Sequence, residues 1–251
     1  MQNRKKALFY ISVILFSWVI VAIGSASWKR QPCRDVVTRI RNSENNMFLN
    51  PQGIEAEIRR VQGGDVRQQT MGDINVGRIE EALERNAFVE RAEVAKDITC
   101  KLMVDVELRK PFARVFNIDG TSFYVDRNFI KMKTTPAWAP NVILVRGFIL
   151  EAVEEGDTMR SMEMNLLKPM LTYLAKDEFL SAFVSEILID ERGEVSLRPV
   201  IGNELVEIGK PVDLDEKFSN LMLFYKQVLA KSDWYKYKKV SVKWKGQVVA
   251  S

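Results

Sequence analysis

The sequence predicts an α+β protein in three parts. These are a single N-terminal transmembrane helix, a strand-helix-helix-strand-strand module, and a β-rich second domain with a mostly antiparallel sheet and packed helices. Three observations carry that prediction. Residues 7–27 hold no charged side chain, residues 100–109 alternate apolar and polar, and short β-rich runs punctuated by Gly, Asn and Asp fill the second half.

The first part reads ALFYISVILFSWVIVAIGSAS, with Arg4, Lys5 and Lys6 before it and Trp28, Lys29 and Arg30 after it. At 1.5 Å per residue, about 20 helical residues cross a hydrocarbon core of roughly 30 Å. Tyr10 and Trp28 stand where aromatic rings sit at bilayer interfaces. A secretory signal peptide shares the basic start and offers cleavage sites at Ala22-Ile23-Gly24 or Ser25-Ala26-Ser27. Its apolar core spans only about 7–15 residues, which favours an uncleaved anchor. Charge does not orient the segment: Lys29, Arg30, Arg34, Arg39 and Arg41 follow it, and the positive-inside rule is weak before a long translocated domain.

Residues 1–6 form a short tail, 7–27 the span, 35–110 a first domain and 111–251 a second. Lys and Arg number 37 against 33 Asp and Glu, and setting aside the three basic residues of the tail leaves 34 against 33. A nearly neutral domain lacks the basic face that a general nucleic-acid binder needs. The chain has no histidine, which excludes Ser-His-Asp and Cys-His catalysis and His-ligated zinc. Cys33 and Cys100 cannot make a four-cysteine metal site, and their spacing leaves open whether they pair.

Val36 to Arg41 suits a short strand. Asn50-Pro51 reads as an N-cap with proline at the first helical position, and Ile54, Ile58 and Val61 recur at helical spacing over 51–61. Asn75 caps a second helix with Val76, Ile79, Ala82 and Leu83 inward and Asn86 at its end. Strands follow at 89–96 and 99–109, and in the second Cys100, Leu102, Val104, Val106 and Leu108 face the core.

After Pro111, ARVFNI and SFYVD flank a tight hairpin turn at Asp119-Gly120. A turn at Asp126-Arg127-Asn128 leads to FIKM, and NVILVRG makes another strand. A helix is expected over 158–176 with a kink near Asn165 to Leu167 from Pro169, then a short one over 177–183. Strands VSEILID, EVSLRPV and ELVEIG precede a helix over 214–229 capped by Asp213. The last element is a strand in which Val240, Val242 and Trp244 alternate with Ser241, Lys243 and Lys245.

No phosphate loop, dinucleotide fingerprint or calcium loop is present. The acid pairs Glu80-Glu81, Glu154-Glu155 and Asp190-Glu191 fall on expected surfaces, and Asp213, Asp215 and Glu216 suit a first helical turn. No enzyme activity, cofactor or metal is expected. The segment from Lys231 to Lys245 carries six basic residues and one acid, Asp233. Its lysines fit two roles equally: blocking an exposed sheet edge, or flanking an edge that accepts a partner's strand with Tyr237 and Trp244 as anchors.

The order of elements, with VGRIEEALERNAFVERAEV (76–94), RKPFARV (109–115), GTSFYVDRNF (120–129) and LVRG (144–147), resembles the FtsQ/DivIB family of bitopic bacterial cell-division proteins. The first module resembles the one that family calls POTRA. Residues 184–210, 217–229 and 240–249 are similar to versions from the Bacteroidetes-type lineage. Asn128 stands where that family commonly has glycine, and the basic WKRQPCR replaces its acidic or Pro-rich entry. The resemblance implies an inner-membrane divisome scaffold, N-terminus cytoplasmic and C-terminus periplasmic, at the division site. It implies binding of FtsB/FtsL-like proteins through the last strands and of other division proteins through the POTRA module and the membrane helix. By position, the partner residues are Tyr237, Lys239, Val240, Ser241, Val242, Lys243, Trp244, Gln247 and Val248. An anchored POTRA-type chaperone or translocation component for envelope proteins is the alternative; it predicts tandem modules or a following barrel.

Overall fold

The computed structural model describes residues 2–42, 48–136, 138–228 and 236–251, with backbone only at 2–10, 12, 21, 22, 162 and 163. It divides into two compact units, Met1–Glu44 with Leu49–Leu108, and Asn45–Phe48 with Arg109–Ser251.

The first unit opens with helix α1 (Gln2–Lys29). Its described apolar side chains between Ile11 and Ile23 are exposed, Phe16 at 68% and Trp18 at 73%. The expected span over 7–27 falls partly on side chains outside the described set, and among the described residues no helix is long and apolar enough to cross a membrane. After it come β1 (Asp35–Arg41), α2 (Pro51–Gln62), α3 (Val76–Glu84), β2 (Val89–Lys96) and β3 (Lys101–Leu108). The sheet order is β1-β3-β2, with β1 parallel and β2 antiparallel to β3.

Both asparagine caps act as their chemistry dictates. Asn50 Oδ1 accepts from Gly53 N at 2.8 Å and Asn75 Oδ1 from Arg78 N at 3.1 Å, satisfying amides that have no partner within the helix. Ile54, Ile58, Ile79 and Leu83 pack onto Leu102, Val104, Val106 and Leu108. The β3 alternation starts one residue later than the sequence suggests. Cys100 is buried, but at φ 63° it belongs to the turn before the strand. Cys33 and Cys100 are both buried free thiols.

The second unit contains β4 (Ala113–Phe116), β5 (Ser122–Val125), β6 (Lys131–Lys133), β7 (Ile143–Gly147), α4 (Met162–Lys176), α5 (Glu178–Phe183), β8 (Val184–Ile189), β9 (Val195–Pro199), β10 (Leu205–Gly209), α6 (Leu214–Gln227), β11 (Lys239–Ser241) and β12 (Val249–Ala250). Nine described strands form one sheet in the order β12-β11-β10-β9-β8-β7-β4-β5-β6. Antiparallel pairs predominate, but β4–β7, β7–β8 and β10–β11 are parallel. Two of the parallel pairs arise because α4–α5 and α6 are crossover connections, which return the chain in the same direction. Tyr173 of α4 stacks on Phe218 of α6 at 5.0 Å, so both helices cover one face. Val145, Ile187, Leu197, Val206 and Val240 line the core beneath them. The other face carries the Arg146–Glu186–Arg198 charge cluster.

Three local expectations are corrected. The β4–β5 connection runs from Asn117 to Thr121, and only Gly120 takes positive φ there, so the Asp-Gly pair is not a two-residue turn. Helix α4 starts at Met162, because Thr158 bridges to Ile130 and holds the preceding chain extended; Pro169 lies within the helix. Asp213 stands at the N-cap of α6, but at φ 55° it makes no side-chain capping bond, since capping needs an extended backbone. The expected end of that helix at 229, with Lys231 and Asp233, lies outside the described residues.

Candidate functional site

The C-terminal end of the large sheet is built on α6. Leu221, Phe224 and Tyr225 bury one side of this helix, and the chain then returns as β11 beside β10. Val206 lies opposite Val240 in parallel register, and Val242 N–H donates to Glu207 O at 2.9 Å. Val240, Ser241 and Val242 are all buried. Tyr237 is half-buried against Phe224, with ring centroids 5.7 Å apart. Beneath this corner Tyr225 Oη donates to Glu204 Oε1, while Glu204 Oε2 is buried without a partner. Burial first, and then the Glu204 carboxylate, push the Tyr225 phenol well above its ordinary range.

The sequence suggests one continuous strand through Trp244 as the sheet edge. Instead the strand stops at Ser241, the chain reverses through 243–247, and β12 pairs antiparallel with β11. Gly246 at φ 67° makes the reversal possible, and its N–H donates to Glu216 Oε1 on α6 at 2.9 Å. Among the described strands, β11 is therefore interior and β12 is the edge. Lys238 and Lys239 N–H both donate to Ser251 O, and Ser251 N–H returns a bond to Lys239 O. In an antiparallel pair, bonded positions alternate with unbonded ones. Ala250, opposite Val240, is an unbonded position, so its N–H and C=O face the open side.

The candidate residues thus divide by position. Val240, Ser241 and Val242 are interior. Lys239 Nζ pairs with Glu207 at 2.7 Å and Lys243 Nζ with Glu194 at 2.5 Å. Val248 is half-buried against the core. Trp244, 61% exposed, and Gln247 stand on the turn, and Val249 is exposed beside them. A cavity of about 240 Å³ adjoins the turn, lined by Lys210, Val212, Lys217, Lys243 and Trp244 among others. Lys217 donates to the Ile208 and Lys210 carbonyls, and burial holds its pKa below the ordinary lysine range. The sequence reading ran the partner edge from Tyr237 to Val249 as one strand, gave Glu216 only a place in the first turn of α6, and passed over Ala250. The signal for a separate last strand was Lys245-Gly246, a turn pair inside an apparently continuous strand.

The acid pairs serve structure. Glu80 accepts from Val94 N, Glu81 pairs with Arg85, Glu155 pairs with Lys133, and Asp190 closes the β8–β9 turn by accepting from Arg192 N and Glu194 N. Among the described residues no cluster of three or more His, Cys, Asp or Glu could hold a metal.

A family model described as FtsQ/DivIB, C-terminal related, matches residues 110–251, and a POTRA-like domain model matches residues 31–107. No curated protein matches the chain. The first match spans more than half of the 251 residues, on a family that is generally non-catalytic. The chain belongs to the FtsQ/DivIB C-terminal-related family, with a POTRA-like domain ahead of the family domain.

Proposed function

We propose that this protein is a membrane-anchored scaffold of the bacterial divisome that binds FtsB/FtsL-like proteins by adding a partner strand to β12. The observation that supports this reading is the outward-facing backbone of Ala250, with Trp244 and Val249 exposed on the same corner. An incoming strand gains backbone hydrogen bonds at Ala250 and an aromatic anchor at Trp244. The surrounding lysines suit an acidic or neutral partner segment. Family membership favours division partners and an envelope location at the division site.

The anchor reading rests on α1. Its 7–27 stretch is free of charge, and the helix is apolar around its circumference, with its described side chains between Ile11 and Ile23 exposed. A helix apolar all round requires an apolar environment. An N-terminus inside and C-terminus outside follows the family resemblance, as does the lineage.

Ala250→Pro tests the strand-addition reading. The substitution removes an outward N–H and no hydrogen bond within the sheet, whereas proline at Val242 would break the bond to Glu207 O. A250P should lose capture of the periplasmic segments of the FtsB/FtsL-like pair while keeping the wild-type circular dichroism spectrum. Undiminished capture would refute the edge. A fluorescent fusion forming a midcell band supports the divisome assignment, and a uniform envelope signal opposes it.

A further inference from the structure

The chain between α1 and β1 is not a free tether. Gly72 N–H donates to Lys29 O at 2.8 Å, Met71 N–H to Gln31 O at 2.8 Å and Cys33 N–H to Gln69 O at 3.0 Å. Pro32 bridges to Thr70, and Trp28 packs against the core of the POTRA-like module. These bonds fix the end of the helix to the module, so the surface around that end keeps one position relative to α1.

The next bond identifies what else lies there. Arg34 N–H donates to Cys100 O at 2.8 Å, which brings the β2–β3 turn beside the segment leaving the helix. At the tip of that turn Ile98 is 87% exposed, more than any other large hydrophobic side chain among the described residues, those of α1 included. Nothing in the module's own packing calls for an isoleucine there. The segments that meet here carry cations: Lys29, Arg30 and Arg34 are exposed, and Lys96 lies two residues before Ile98 in sequence with its Nζ donating to Met71 O. Lys96 sits below the ordinary lysine range through burial first and then the nearby charge of Lys29, while Asp73 acts in the opposite direction.

The acids of this surface are engaged locally. Asp97 accepts from Thr99 N and Oγ1, Asp73 accepts from Thr70 Oγ1, and Asp35 accepts from Val36 N and lies 3.6 Å from Arg67. An apolar tip beside segments rich in cations, whose stems are themselves apolar, matches the chemistry of a bilayer interface, with acyl chains below and phosphates at the level of the charges.

We infer that the POTRA-like module rests on the anionic bilayer surface that α1 enters, with Ile98 inserted among the lipids and Lys29, Arg30, Arg34 and Lys96 against their phosphates. This rests on the reading of α1 as an anchor. The module is then held at the membrane at two points, the helix and the β2–β3 tip, and cannot swing away from the surface.

The test uses the full chain in nanodiscs of phosphatidylglycerol and phosphatidylcholine, carrying an environment-sensitive fluorophore at Ile98→Cys. Cys33 and Cys100 are buried, so labelling is confined to position 98. Parallel samples carry the label at Phe16→Cys and at exposed Arg85→Cys. The expected result is deep burial at 16, and at 98 a blue-shifted emission quenched severalfold more by headgroup-linked quenchers than at 85. That excess at 98 should fall in phosphatidylcholine alone and in the triple variant K29Q/R30Q/R34Q. A probe at 98 as water-exposed as the one at 85, with the probe at 16 deep, overturns the inference and leaves the anchor standing. Water exposure at 16 and 98 together overturns the anchor reading and this inference with it.

Discussion

Gly246 donates its backbone N–H to the carboxylate of Glu216, so the turn between the last two strands is tied to the first turn of α6. That bond fixes where the exposed Trp244 stands. Glu216→Ala leaves the amide to water and should change stability by no more than about 1 kcal/mol. The loosened turn must then be ordered on binding, so affinity for an FtsB/FtsL-like partner should fall about tenfold, an ordering cost of about 1.4 kcal/mol. Gly246→Ala, at φ 67°, should cost about 1–2 kcal/mol of stability as well. Thermal unfolding and titration calorimetry read both effects.

Trp244→Ala should separate binding from folding. The side chain is 61% exposed, so its removal should move the melting temperature by only a few degrees. As an anchor it should account for about 2 kcal/mol or more of binding, roughly a thirtyfold loss. Wild-type affinity in this variant would assign the tryptophan no part in the interface.

Lys131 and Glu151 form a buried ion pair at 3.1 Å, with each side chain only 3% exposed. Glu151 also accepts from the backbone N–H groups of Arg160 and Ser161, and so holds the strap between β7 and α4. Lys131→Met should destabilise the second unit by about 3–5 kcal/mol, because it strands a buried carboxylate. Burial works to raise the Glu151 pKa, but the backbone donors and Lys131 outweigh it, and the pKa lies below the usual glutamate range. A carboxylate depressed in the folded state contributes stability that is present above its unfolded pKa and lost as pH falls through the folded one. Denaturant midpoints should therefore drop as the pH is taken below the ordinary glutamate range, and this drop should be smaller in Glu151→Gln.

Gly147 ends β7 at φ 122°, and a Cβ there would lie 1.9 Å from the Ile189 carbonyl oxygen. That oxygen receives the Phe148 N–H, so it cannot simply move aside. Gly147→Ala should cost about 4 kcal/mol or more, enough to abolish soluble expression of the second unit. Soluble protein with a wild-type melting temperature would contradict the close approach.

The first unit was largely legible in the sequence because its signals are local. Asn50 and Asn75 cap the helices they precede, and the run from Leu102 to Leu108 alternates without interruption. What escaped the sequence depends on distant partners. Cys100 continues the alternation yet turns left-handed, because it closes the β2–β3 turn beside Arg34. Val240, Ser241 and Val242 read as a half-exposed strand, but β12 covers their outer edge and α6 one face, so all three are interior. The edge itself was misplaced for the same reason. Its position follows from the bond between Gly246 and Glu216, two residues that only the fold brings together.

The amide of Ala250 tests strand addition most directly. In the free protein its N–H faces the open side of β12 and should exchange with solvent rapidly, whereas Ser251 N–H, bonded to Lys239 O, should exchange more slowly. Hydrogen exchange read by NMR, with and without the periplasmic segments of an FtsB/FtsL-like pair, should show Ala250 slowed about a hundredfold or more in the complex. A complex that forms while Ala250 continues to exchange at its free rate would contradict the account.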